Sequence, residues 1–287
     1  MKSLLSKQII SILSISVFII ASCTERYDIE LDSTYVRCVV YGELTTDTTA
    51  HKIAISRSGG YFSNATPQGI SGANVSITDG ENVFALTESQ TEAGVYFTLP
   101  NVYGEIGKAY TLSIQNVDLL GDGVMQSYTA TSYLPDVVQP DSINVFYIPD
   151  WRSWALFTGA VDPVDSKNYY MFHTWVNSTL ETDSISNLRI FDDILFNGSN
   201  MYEIPNYFWM NQAALSPGDT VVSGICGITE DYFKFVTETQ TTARPSNPLF
   251  SGAPANPRTN ISNNGIGYFT TYSIKRVSAV IASFPPF

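Results

Sequence analysis

The chain has 287 residues, with 27 acidic against 15 basic side chains and a formal net charge of −12. That balance, with no run of lysine or arginine, excludes phosphate-backbone recognition of nucleic acid and direct attraction to anionic lipid headgroups. Aromatic residues make up 13% and charged residues 15% of the chain, a composition that suits β-sheet packing better than helices.

The first segment carries Lys2 and Lys7 and then an apolar run from Ile9 to Ile20. A membrane-spanning helix needs about 20 apolar residues. This run is shorter and fits the apolar region of a secretory signal. Its end, Ile20-Ala21-Ser22-Cys23, resembles a bacterial lipobox, in which the cysteine thiol is acylated and becomes the new N-terminus; leucine is commoner at the place of Ile20. We therefore expect residues 1–22 to be a lipoprotein signal peptide, Cys23 the lipidated residue and 23–32 a tether. Glu25 and Asp28 form a thin version of the acidic cluster found behind the cysteine in surface-exported lipoproteins. The expected location is the outer membrane, held by the lipid alone, with the periplasmic and cell-surface faces both open.

Beyond the tether, period-two patterns dominate, as in half-buried strands. "YVRCVVYG" places Val36, Cys38 and Val40 on one face. "HKIAIS" does so with Ile53 and Ile55, "ANVSIT" with Val75 and Ile77, and "AYTLSIQ" with Tyr110, Leu112 and Ile114. "GDG" at 121–123 reads as a hairpin turn. About seven strands by Tyr133 predict an immunoglobulin-like β-sandwich over 33–134. "LPDVVQPDS" interrupts the pattern and sets a linker at 135–142. Over 143–287, "INVFYI", "WALFTGAV", "NYYMFHTWV" and "SISNLRIF" continue as strands. "TEDYFKFVTETQ" is the best helix, with Thr229 as its cap, Glu230 and Asp231 at the positive end of its dipole, and Tyr232, Phe233 and Val236 as its apolar stripe. A proline- and asparagine-rich loop and an alternating strand, "YFTTYSIKRVSAVI", close the chain. The expected fold class is all-β: two β-sandwich-type domains with one short helix in the second.

An ordered set of short signatures carries a family resemblance. They are "SGANVSITDGENVFALTE" with "GVY", then "GEIGKAYTLSI", "DPVDSKNYY", "FDDILFNG", "ITEDYFKFVTETQ" and "NPLFSGAPANPRTNISNNGIGYFTTYS". Together they resemble the Bacteroidetes lipoprotein family catalogued as domain of unknown function 4249. Asn260, Ile261, Asn263, Gly265, Gly267 and Phe269 approximate that family's Asn-Ile-x-Asn-Gly-x-Gly-x-Phe ending, with one extra residue. The resemblance implies no established catalysis. It implies an accessory role beside a TonB-dependent outer-membrane receptor, and a first domain like the carboxypeptidase-regulatory sandwiches attached to such receptors, which is architectural analogy alone.

The chain offers few parts for catalysis. His51 sits at the start of a strand, where an exposed polar residue is the plain expectation. His173, between Phe172 and Trp175, reads as a strand residue rather than a base, and Asp162 and Asp165 in "VDPVDS" as turn formers. No nucleophile elbow, phosphate loop or His-Glu-x-x-His pair is present. We expect no enzyme, no cofactor and no metal; the acids in "NVDLLGDG" and "FDDILFNG" lack calcium-ligand spacing. Cys38 and Cys226 read as separate buried thiols ahead of a disulfide. Binding remains. "IPDWRSW" supplies Trp151 and Trp154, and "YEIPNYFWMNQ" supplies Tyr202, Tyr207, Phe208, Trp209 and Asn211. Core anchoring is the simpler reading for these aromatics. Trp151, Trp154, Tyr207, Trp209 and Asn211 are the candidate ligand or partner contacts; the alternative to receptor docking or ligand capture is a surface glycan- or peptide-binding or adhesion module, with a hydrolase ranked behind both.

Overall fold

A computed structural model describes residues 36–59, 66–243 and 256–282. The signal peptide, Cys23 and the tether lie outside the described residues.

Sixteen strands and one α-helix follow in order. The first eight are β1 (Cys38–Thr45), β2 (Lys52–Arg57), β3 (Asn74–Thr78), β4 (Val83–Ala85), β5 (Thr87–Glu88), β6 (Val95–Phe97), β7 (Ala109–Asp118) and β8 (Met125–Tyr133). Then come β9 (Ser142–Ile148), β10 (Ser153–Gly159), β11 (Tyr169–Val176), β12 (Thr179–Leu180), β13 (Arg189–Asp192), β14 (Pro205–Trp209) and β15 (Thr220–Gly227). Helix α1 (Glu230–Ala243) and β16 (Ile266–Val280) end the series. The protein is all-β with this single α-helix among the described residues.

The alternation read from the sequence holds where strands meet a core. Ile53, Ile77 and Leu112 are fully buried, as are Cys38, Val40, Ile55 and Ile114 to within a few per cent. Each such aliphatic side chain contributes roughly 1.5–3 kcal/mol on leaving water. They form one core between β1–β2 and a four-stranded sheet of order β4-β3-β7-β8. The β7–β8 hairpin closes at 121–123, where the Asp118 carboxylate accepts the amides of Gly121, Asp122 and Gly123 at 2.7, 3.1 and 3.2 Å.

The main sheet runs β12-β11-β15-β16-β1-β2-β6-β5, with β13 also on β11, while β14-β10-β9 form a third sheet. Segment 135–142, the expected linker, joins β8 to β9. Strands from its two sides nonetheless share the main sheet, because β16 pairs parallel with β1 and antiparallel with β15. The described residues from Val36 onward group as one compact unit. A glycine makes the β1–β16 contact feasible. Gly267 has φ +96°, and a Cβ there would lie 2.0 Å from the Val40 carbonyl oxygen of the neighbouring strand.

Helix α1 starts as expected, with the Tyr232 amide donating to Thr229 Oγ1 at 3.3 Å and two acids in the first turn. Its stripe is shifted by one side chain. Tyr232, Phe235 and Val236 are buried, and Phe233 is half-buried against Tyr169. The i, i+3, i+4 spacing from Tyr232 reaches Phe235 and Val236, and Phe233 falls on the flank. This stripe covers the face of the main sheet carrying Tyr169, Met171, Cys226, Tyr268 and Tyr272. The third sheet covers the other face, burying Trp154, Leu156 and Trp209 against Val221 and Ile281.

Candidate functional site

The aromatic candidates separate by strand alternation. β9, β10 and β14 pair so that Trp154 stands opposite Tyr147 and Trp209, and Ala155 opposite Phe146 and Phe208. The first set points inward: Trp154 is 1% exposed and Trp209 7%, with Tyr207 edge-on to Trp209 at 4.8 Å. Neither tryptophan face is free to receive a ligand. The second set points outward. Phe146 is 45% exposed and stacks on half-buried Phe157 at 5.0 Å and 8°.

Trp151 joins this outer face. Pro149, Asp150 and Trp151 form a 3-10 turn between β9 and β10, closed by Arg152 at φ 50°, whose amide donates to the Pro149 carbonyl at 3.1 Å. Ser153 Oγ donates to the Trp151 carbonyl at 2.7 Å. The turn projects Trp151 into solvent at 62% exposure, its ring 6.1 Å from that of Phe208, and Met210 extends the patch. Asn211 is exposed, but its Oδ1 accepts the Ala213 amide at 3.0 Å and caps the next turn. Tyr202 donates to Asp141 at 2.6 Å, away from the tryptophans. Of the five named contacts, then, only Trp151 presents its ring to an exposed aromatic surface.

A second constellation escaped the sequence reading. Where α1 and the turn around 182–188 rise over the main sheet, a cleft of about 320 Å³ opens. Its floor comes from β1 (Tyr41, Glu43) and β11 (Met171, His173), and Tyr232 and Leu188 form walls. Tyr272 donates to Glu43 Oε2 at 2.9 Å. The His173 ring lies between Thr182 Oγ1, 3.0 Å from Nδ1, and the Tyr272 hydroxyl, 3.3 Å from Nε2. The hydroxyls of Tyr41 and Tyr232 are 3.4 Å apart.

Glu43 is half-buried, reached by water through a cleft whose walls are protein. That surrounding raises its pKa above the ordinary carboxylate value, against the bond from Tyr272, and the nearby Asp47 charge adds to the rise. Burial pushes His173 the other way, to about 4, assisted by the Arg276 charge. Arg276 is itself paired with Asp47, its Nη1 2.8 Å from Oδ1, and its guanidinium lies 5.1 Å from the Trp175 ring centre. Gly224, opposite His173 on β15, makes room for that tryptophan; a Cβ would meet Trp175 at 2.9 Å.

The remaining candidates serve structure. His51, expected to be exposed, is 3% exposed: its Nε2 lies 3.2 Å from the Val102 carbonyl and its amide donates to Thr98 Oγ1 at 2.9 Å. The loop after β6 folds back over the start of β2 and buries it. Asp162 is buried and accepts from Tyr170 Oη and, at 3.1 Å, from the Gly198 amide; its bonds do not go to His173. Asp165 is exposed. Cys38 and Cys226 are buried free thiols.

Sequence reasoning missed the cleft because its parts are 41–43, 171–188, 232 and 272. Alternation alone marks Tyr41 and Glu43 as the polar face of β1, and nothing local says that a helix covers that face. Among known proteins, the model of the family described as a domain of unknown function, DUF4249, matches residues 24–278. No curated protein matches the chain.

Proposed function

We propose that this chain, which belongs to the DUF4249 family, is a lipid-anchored protein of the outer membrane that docks on a TonB-dependent receptor without catalysing a reaction. The observation that carries the docking reading is the outer face of the β9-β10-β14 sheet. There Trp151, Phe146 and Met210 are exposed beside half-buried Phe157 and Phe208. Contiguous exposed apolar surface rimmed by polar residues is the mark of an interaction site, and aromatics and methionine are enriched in protein interfaces. A glycan platform fits less well. Trp154 and Trp209 are buried, and Asn211, the amide beside them, is bonded to Ala213. The anchor in this reading is Cys23, for the lipobox reason given above.

A photoreactive amino acid at position 151, introduced in cells, tests the docking. The expected product is a covalent adduct with a TonB-dependent receptor. A control probe at Val83, 71% exposed on the far β4 strand, should give none. Equal adducts from both positions, or no receptor adduct from position 151, overturn the reading. Metabolic labelling with an alkynyl fatty acid tests the anchor: label should appear on the wild-type chain and vanish in Cys23→Ser. Protease treatment of intact cells then reads which membrane face the body occupies.

A further inference from the structure

The cleft under α1 lies on the face of the main sheet opposite the third sheet, so its chemistry stands apart from the docking surface. Its volume of about 320 Å³ corresponds to roughly ten water molecules at ~30 Å³ each and lies at the lower end of small-ligand sites. The charge pattern of its lining is one-sided. Glu43 is at the floor and Asp183 at the rim, and no lysine or arginine lines it. His173 adds no positive charge near neutral pH, because burial holds it in the neutral form.

Glu43 differs from the well-paired acids of this protein. Asp47 has Arg276, Asp79 has Lys108 and Glu238 has Arg258, each within 4 Å. Among the described residues, the hydrogen bond to the Glu43 carboxylate comes from Tyr272, at Oε2, and no lysine or arginine is ion-paired with it; Arg276, which borders the adjoining pocket with Glu43, is held by Asp47. A carboxylate drawn out of bulk water without a counter-charge is costly, and a cation supplied from outside relieves that cost. Around it, the hydroxyls of Tyr41 and Tyr232, 3.4 Å apart, offer phenol oxygens as acceptors. Leu180, Ile185 and Leu188 line the same cleft with hydrocarbon.

We propose that this cleft binds an organic ammonium ligand, with its nitrogen against Glu43 and the phenols of Tyr41 and Tyr232, and its alkyl stem against Leu180, Ile185 and Leu188. A carboxylate ligand meets two like charges and no lysine or arginine in the cleft. A neutral alcohol can still donate a hydrogen bond to Glu43 but brings no positive charge to offset that of the carboxylate.

The test is a titration of the full chain, purified in non-ionic detergent and labelled at methionine methyls, with n-hexylammonium, n-hexanol and n-hexanoate. The Met171 resonance, assigned with Met171→Leu, reports occupancy of this cleft. Hexylammonium should shift it saturably below about 10 mM, with hexanol and hexanoate at least about tenfold weaker. Glu43→Gln should weaken hexylammonium about tenfold while leaving thermal stability unchanged or raised, since Gln still accepts from Tyr272. The selectivity series on the wild type stands whether or not that variant folds. Equal affinity for hexanol and hexylammonium, no saturable shift of Met171, or undiminished binding by folded Glu43→Gln each overturns the proposal.

Discussion

Trp154 and Trp151 are three residues apart, both on the aromatic hairpin, yet their truncation to alanine should differ sharply. Trp154 is 1% exposed, packed with Leu156, Trp209, Leu215 and Val221 and edge-on to Tyr147 at 5.5 Å. Removing a buried tryptophan side chain costs about 3–5 kcal/mol, the transfer loss plus the cavity left behind. At about 2–4 °C per kcal/mol for a body of this size, Tm should fall by roughly 6–20 °C. Trp151 is 62% exposed and, among the described residues, has its ring contact with Phe208. Trp151→Ala should cost below about 1 kcal/mol and shift Tm by about 3 °C at most. Thermal unfolding followed by far-UV circular dichroism measures both. If Trp151→Ala destabilises as much as Trp154→Ala, the outward projection of the turn is wrong and Trp151 belongs to the core.

Gly267→Ala should cost more than about 3 kcal/mol. It forces a side chain into positive φ and against the Val40 carbonyl, at the one parallel pairing that ties β16 to β1; urea titration giving less than about 1 kcal/mol refutes the strand contact. His173 predicts a pH dependence. Its folded pKa is about 4 against 6.5 unfolded, so below pH 6.5 the unfolded chain gains a proton that the folded one does not. Stability contributed by the neutral ring is present above that pH and lost down to about pH 4, by up to roughly 3 kcal/mol. Glu43, raised instead, works in the opposite sense, so the measurement is the difference between wild type and His173→Gln, whose denaturation midpoint should vary less between pH 7 and 5. Equal slopes would remove His173 from the buried site. Finally, burial raises Cys38 to about 12 and Cys226 well above its ordinary value. A thiol reagent at pH 8 should therefore label neither in the folded protein. Denatured, the lipidated chain should titrate two thiols and the unprocessed chain three.

The sequence by itself determined what local spacing controls. Period two fixes which side of β1, β2, β3 and β7 is buried, because a strand has two faces and Ile53, Val75 and Leu112 must share one. Thr229 fixes where α1 begins, since its hydroxyl accepts the Tyr232 amide within the first turn, and Glu230 and Asp231 complement the positive end of the dipole. The same local rules identified Trp151 and Trp154 without separating them, because both stand in a turn-rich hairpin and only the pairing of β10 with β14 says which ring is covered. Tertiary structure decided the rest. His51 is buried by a loop that arrives some fifty residues later in the chain, at Val102. The cleft joins Glu43 to Tyr272 across 229 positions, through a parallel strand pair that Gly267 permits. A carboxylate on the polar face of a strand is ordinary until a helix folds over it; that covering changes its solvation and its neighbours, and neither is written at the position of the carboxylate itself.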